Sequence, residues 1–181
     1  FRGALNGRVL DPAHPQEGSI WVYADISERQ KAEQEIHKLL QAVEQSPVSI
    51  VITNREGLIE YVNPRFTKVT GYASDEALGQ NPRMLQSGET PRETYEQLWQ
   101  TLLAGKEWRG VVRNKRKNGE LFWEEASISP ILDEKGEATH YLAVKEDITE
   151  RKQIEDELEQ HRAHLEDLVD RRTADLSAAL A

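Results

Sequence analysis

The sequence predicts an α+β fold: a five-stranded antiparallel sheet with helices segregated to one face, flanked by an N-terminal and a C-terminal helix. Three observations predict it. Short β-like runs fall in two groups, two before a block of helical patterns and three after it. Turn signals separate the strands within each group. The stretch DISERQKAEQEI at Asp25–Ile36 returns as DITERKQIEDEL at Asp147–Leu158, each time after a β-like run and ahead of a charged helical pattern. The chain therefore reads as the tail of one unit followed by a complete second one.

The first β-like run is SIWVYA at Ser19–Ala24. A helix follows from about Ser27 to Gln45, with Ile36, Leu39, Leu40 and Val43 as its apolar stripe and Pro47 as its stop. SIVITN at Ser49–Asn54 and LIEYVN at Leu58–Asn63 are strands around the turn Arg55-Glu56-Gly57. PRFTKVTGY and SDEALG give short helices broken by Gly71 and Gly79. A helix over Pro91–Ala104 is signalled by Thr90 as N-cap, Pro91 at its first position, Glu93 closing a capping box, and Gly105 behind it. Its apolar residues are Tyr95, Leu98, Trp99, Leu102 and Leu103. Strands Trp108–Lys117, Glu120–Leu132 and Ala138–Asp147 complete the sheet, with Asn118-Gly119 turning the first pair and Glu134-Lys135-Gly136 the second.

The last helix starts near Thr149. Ile154, Leu158, His161, Leu165 and Leu168 form a narrow stripe, which restarts at Val169 and runs on to Leu176 and Leu180. Such a restart inserts four residues into the repeat, a stutter that locally unwinds a supercoil. A stripe this narrow on so polar a helix needs a second helix, and the expectation is a parallel dimeric coiled coil.

Composition removes several function classes. The net charge of -9 argues against nucleic-acid binding, which needs a positive surface. The one tight basic run, RNKRK at Arg113–Lys117, is read as the exposed end of a hairpin. There are no cysteines, so disulfides, thiolate catalysis and Cys-ligated metals are excluded. No apolar run is long enough to span a bilayer, so direct membrane contact is not expected. The five histidines show no metal-site spacing, and HRAHLEDL lacks the Glu that directly follows the phospho-accepting His of a kinase. No phosphate loop or nucleophile–base constellation is present, so no catalysis is expected of this chain. The chain opens at Phe1 without Met and reads as a piece of a longer protein, with a cytoplasmic setting expected.

The order of elements, with YVNPRFTKVTGYASDEALGQNPRML in the middle and DIT at the end, resembles the PAS sensor-domain family over about residues 46–149. The organisation it implies is a remnant of a preceding PAS domain at 1–26, a linker helix at 27–46, a PAS sensor domain at 47–148 and an output helix at 149–181. NPRMLQ resembles the pocket loop of light-oxygen-voltage domains, with Pro82 where their reactive cysteine stands. LWQTLLAGKEWRGVVRNKRKNGELFW at Leu98–Trp123 is similar to the FAD-binding PAS domains of aerotaxis receptors and nitrogen-fixation redox regulators. The resemblance implies that Asn63, Asn81, Gln86, Ser87, Tyr95, Trp99, Trp108 and Asn114 line a flavin, with Thr53 as a weaker match. The repeated Asp-Ile-Ser/Thr junction points to a signal-transmission role for Asp147, Ile148 and Thr149, the alternative being that Asp147 and Thr149 only end a strand and start a helix. Without a cysteine, light cannot form a flavin–thiol adduct, and any photochemistry must be electron transfer with Trp or Tyr as donor.

The residues themselves leave alternatives open. Strand alternation puts Trp108, Gly110, Val112 and Asn114 on one face, and Asn114 there either bonds nearby backbone or meets a ligand edge. Trp99 either packs in the core or stacks on a ring. Asn63 and Asn81 either cap local turns or face the pocket. Two readings of function follow: a sensor holding non-covalent FAD for redox or light, or a cofactor-free PAS domain that dimerises and relays strain. Another small ligand or haem stands behind these. HRAHLEDLVDRRTADLSAAL resembles the connector ahead of the dimerisation helices of sensor histidine kinases. The expected parent is such a kinase, with a diguanylate cyclase second.

Overall fold

The computed structural model describes the backbone of residues 3–9 and 19–179 and the side chains of residues 26–172. The chain divides into two units, residues 1–45 and 46–181. In the first, strands β1 (Gly3–Val9) and β2 (Ser19–Asp25) pair antiparallel, and helix α1 (Ser27–Glu44) follows. Residues 10–18 of the expected domain remnant lie outside the described residues. No residue of α1 is buried, and Ile36, Leu39 and Leu40 are all more than half exposed.

The second unit is built on a five-stranded antiparallel sheet of β3 (Ser49–Asn54), β4 (Ile59–Val62), β5 (Trp108–Lys115), β6 (Leu121–Leu132) and β7 (Ala138–Asp147), in the order β4-β3-β7-β6-β5. The first and last strands are thus central neighbours, and the sheet's middle strand runs straight into helix α5 (Thr149–Ala179). Helices α2 (Pro64–Thr70), α3 (Ser74–Ala77) and α4 (Arg92–Leu103), with a 3-10 turn at Pro82–Leu85, join the two groups of strands. Among the described residues no helix is long and apolar enough to cross a membrane.

Period-two alternation decides what the sheet buries. Its inner face carries Val51, Ala143, Phe122, Ala126, Trp108 and Val112, all buried. One half of the core packs Phe66, Ala77 and Leu85 from the helical segment against β3, β4 and β7; the other packs Leu98 and Leu102 of α4 against Trp108, Val112, Ala126 and Tyr141. Helix α4 departs from expectation at its start. It begins at Arg92 with Pro91 in the cap position and no side-chain cap, because Thr90 faces β5 instead: its Oγ1 accepts the Arg113 N–H at 2.9 Å. Leu103, expected in the stripe, is 77% exposed, since the buried face of the helix is narrowed to Leu98 and Leu102.

Gly110 is fixed by a close approach. The Trp108 ring lies along β5, and a Cβ at Gly110 would sit 2.4 Å from its Cζ2. Ala126, the register partner of Gly110, is also small. Gly110→Ala should push the indole out of this channel and destabilise the domain by roughly 1–3 kcal/mol, as overpacked cores do. Urea unfolding followed by tryptophan fluorescence measures this.

Candidate functional site

The polar end of the inner face is made by Ser49, Asn114, Glu124 and Lys145, all buried. Glu124 is 1% and Lys145 8% exposed. Val112 is the register partner of Glu124 and Ala126 that of Lys145, so Asn114, Glu124 and Lys145 meet along a diagonal across β5, β6 and β7. Both Asn114 Nδ2 and Lys145 Nζ donate to Glu124 Oε2, each at 2.8 Å. Asn114 thus pairs with a carboxylate rather than with nearby backbone. Buried charges persist only when paired, and an ion pair in this position costs desolvation that apolar packing would not. Sequence reading missed Glu124 and Lys145 because charged residues in a strand pass as solvent-facing. The signal was available: alternation from Phe122 places Glu124 with Ala126, and alternation from Tyr141 places Lys145 with Ala143.

The other predicted residues divide by what their side chains touch. Thr53 is buried on β3, in register with Tyr141. Trp108 is buried under α4. Asn63 is buried and its amide is spent on backbone: Oδ1 accepts from Ile50 N and Phe66 N, capping α2, and Nδ2 donates to Val48 O at 2.9 Å. Asn81 caps the 3-10 turn through Arg83 N, and its Nδ2 donates to Gly57 O at 3.1 Å. Tyr95 is half-buried. Trp99 is 37% exposed and meets the Tyr141 ring edge-on, with centroids 5.8 Å apart. Gln86 is exposed and bridges Asn114 through backbone. Ser87 donates its hydroxyl to the Arg113 carbonyl, beside an ion pair of 2.6 Å between Arg113 and Glu89. The loop from Gln86 to Thr90 is thereby laced along edge strand β5.

The launch point of α5 is a second polar cluster. Asp147 Oδ1 accepts from Thr149 N at 3.0 Å and from Thr149 Oγ1 at 2.6 Å. Thr149 Oγ1 in turn accepts from Trp123 N at 2.9 Å, and Ile148, buried, donates its N–H to Trp123 O. Arg116 Nη2 donates to Asp147 Oδ2 at 2.7 Å, its Nη1 donates to the Val69 carbonyl at the end of α2, and its guanidinium lies 4.4 Å from the Phe122 ring centroid. Burial pushes the Asp147 carboxyl up, but hydrogen bonds from Thr149 and Arg116, with the Arg116 charge, outweigh it and hold the group below its usual value. The basic run is therefore not simply an exposed hairpin end: Arg116 is 18% exposed and ties α2, β5 and the β7–α5 junction together.

Comparison with known proteins agrees with this architecture. The PAS fold matches residues 37–148. A nitrogen fixation regulatory protein of Klebsiella oxytoca is 43% identical over 124 residues, 68% of this chain and 25% of that protein. A blue-light-activated histidine kinase of Brucella anthropi is 34% identical over 119 residues, covering 64% of this chain and 24% of that one. A light-oxygen-voltage domain solved in a study of its mechanism with a flavin analogue superposes with a TM-score of 0.58 at 29% identity, covering 70% of this chain and 96% of that one. The chain spans about a quarter of the curated relatives named here. With its sheet order, its helical segment and its Asp-Ile-Thr junction in place, the chain belongs to the PAS family.

Proposed function

We propose that this chain is the sensory module of a bacterial signalling protein, that it holds FAD non-covalently between the inner face of the sheet and the helical segment, and that α5 passes the signal to a downstream histidine kinase. The observation that carries the ligand reading is the buried set Asn114, Glu124 and Lys145. An isoalloxazine edge alternates carbonyl acceptors with an N–H donor. An amide, a carboxylate and an ammonium supply matching donors and acceptors, and Val51, Val112 and Ala143 lie buried on the same inner face. These three residues would hold the polar edge of the ring, with Thr53, Tyr95, Trp99 and Trp108 at the aromatic end and Asn81, Gln86 and Ser87 on the loop. Bound flavin would supply a ring that absorbs light and is reversibly reduced. The chain's own residues orient that ring, keep water from it and hold charge beside it. Relatives named as a nitrogen fixation regulatory protein and a blue-light-activated histidine kinase support a regulatory role, and the second supports a light stimulus and a kinase output.

A second reading rests on the same cluster. Glu124 already satisfies both Asn114 and Lys145, so the domain is able to stand as a cofactor-free relay. The absorption spectrum of freshly purified protein separates the two: flavin bands are expected, and their absence from protein supplied with FAD throughout favours the relay. Trp99→Ala and Asn114→Ala should each lower flavin occupancy while the domain stays folded. Full occupancy in both would remove these residues from the site.

Output requires a partner for α5. Ile154, Leu158, Leu165 and Val169 are each more than half exposed, and the side chains of Leu176 and Leu180 lie outside the described residues. This apolar stripe fits a parallel homodimer, whose two helices rotate or shift register at the stutter between Leu165 and Val169. Leu158→Asp combined with Leu165→Asp should give a monomer by light scattering, and a persisting dimer would place the contact elsewhere.

A further inference from the structure

We infer that the buried Glu124–Lys145 pair is the input element of the switch: it senses the charge on the bound ring and reports it to the launch point of α5. The inference rests on the flavin reading of the site and names the residues through which that site is regulated.

Position argues for it first. Glu124 is in register with Asp147 across β6 and β7. Its chain neighbour Trp123 spends both backbone groups on the junction, the N–H on Thr149 Oγ1 and the carbonyl on Ile148 N–H. Lys145 precedes Asp147 by two residues on β7. Each member of the pair therefore stands within two residues of a group that anchors the helix. A displacement of either strand at the pair reaches the anchor without crossing a loop.

Charge argues for it second. Interactions between buried charges are far stronger than at the surface, and Lys145 has three donors, one of them on Glu124. A neutral ring leaves the pair intact. A bound flavin that took up two electrons from a soluble low-potential donor and one proton from water would carry one negative charge, which would attract Lys145 and repel Glu124. Lys145 then has two carboxylate-like partners to choose between, a discrete choice of the kind two-state switching requires. Asn114, also on Glu124, is drawn into the same change. If the pair were only structural, the charge state of the ring would leave it undisturbed.

The test compares wild type, Glu124→Gln and the neutral double variant Glu124→Gln/Lys145→Gln, each reconstituted with FAD and reduced anaerobically with dithionite. The ratio of affinities for reduced and oxidised FAD is read as the shift in midpoint potential. Glu124→Gln leaves Lys145 without its competitor and should raise the preference for the reduced ring about tenfold, a shift of about 30 mV for two electrons. The double variant should lose that preference by about the same factor. Hydrogen exchange at the Trp123 and Ile148 amides should differ between redox states in wild type and become redox-independent in the double variant. FAD bound with unchanged ratios, or exchange still redox-dependent in the double variant, overturns this inference alone. Absence of FAD binding in every protein, wild type included, overturns both the flavin reading and this inference.

Discussion

Lys145→Met should be among the most destabilising single substitutions in this domain, lowering its stability by roughly 3–5 kcal/mol. Methionine keeps an unbranched stem only one atom shorter than the lysine's, so most of the loss reports the charge. It leaves the Glu124 carboxylate, 1% exposed, with Asn114 as its remaining hydrogen-bond donor of the pair that held it. Against the roughly 5–15 kcal/mol that holds a typical domain, this brings the fold close to its limit. Adding Glu124→Leu should recover most of the loss, because removing the pair whole also removes its desolvation cost. Urea unfolding of the four proteins in this cycle measures the coupling. Losses that simply add would show that the two side chains do not depend on one another.

Asp147→Ala should cost about 2–3 kcal/mol at neutral pH. The carboxylate accepts from Thr149 N, Thr149 Oγ1 and Arg116 Nη2. The helix cap accounts for about 1 kcal/mol, and the charged hydrogen bond to Arg116 for about 1.5 kcal/mol. The carboxyl is held below its usual value in the folded state, so its stabilisation is complete above the unfolded pKa. It is lost as pH falls through the lower, folded value. The gap between wild type and Asp147→Ala should therefore be full at neutral pH and close in strong acid. Equal pH profiles would show that the carboxylate contributes no linked stability. On the proposed relay through α5, Asp147→Ala with Thr149→Ala in the full-length parent should leave output locked or blind to stimulus without changing its oligomeric state. Unchanged regulation would leave these residues a purely structural role.

How far the sequence could be read shows best at particular elements. Strand β3 is Ser49–Asn54 and β7 is Ala138–Asp147, as alternation and turn signals place them. These are local signals, because side-chain period and turn chemistry are properties of a few adjacent residues. Helix α4 is in place for the same reason, but its cap is not. Thr90 had two uses for its hydroxyl, and the N–H of Arg113, distant in sequence, took it from the helix. Asn63 and Asn81 followed the local rule and capped their turns, and each also reached a distant carbonyl that no local pattern announces.

The amino-acid sequence by itself determined the strand and helix order, the family, the exclusion of thiol chemistry and the Asp-Ile-Thr junction. All of these depend on residue type and near spacing. Only the tertiary structure decided which charged side chains lie inside. Nothing adjacent to Glu124 or Lys145 marks them as partners; they meet because antiparallel pairing sets β6 beside β7 in a register that puts both on the inner face. Arg116 is the same case, a residue of a basic run until the sheet brings it to Asp147 and α2. Burial turns an ordinary charge into a costly one that must find its counterpart, and which counterpart lies within reach is a property of the fold.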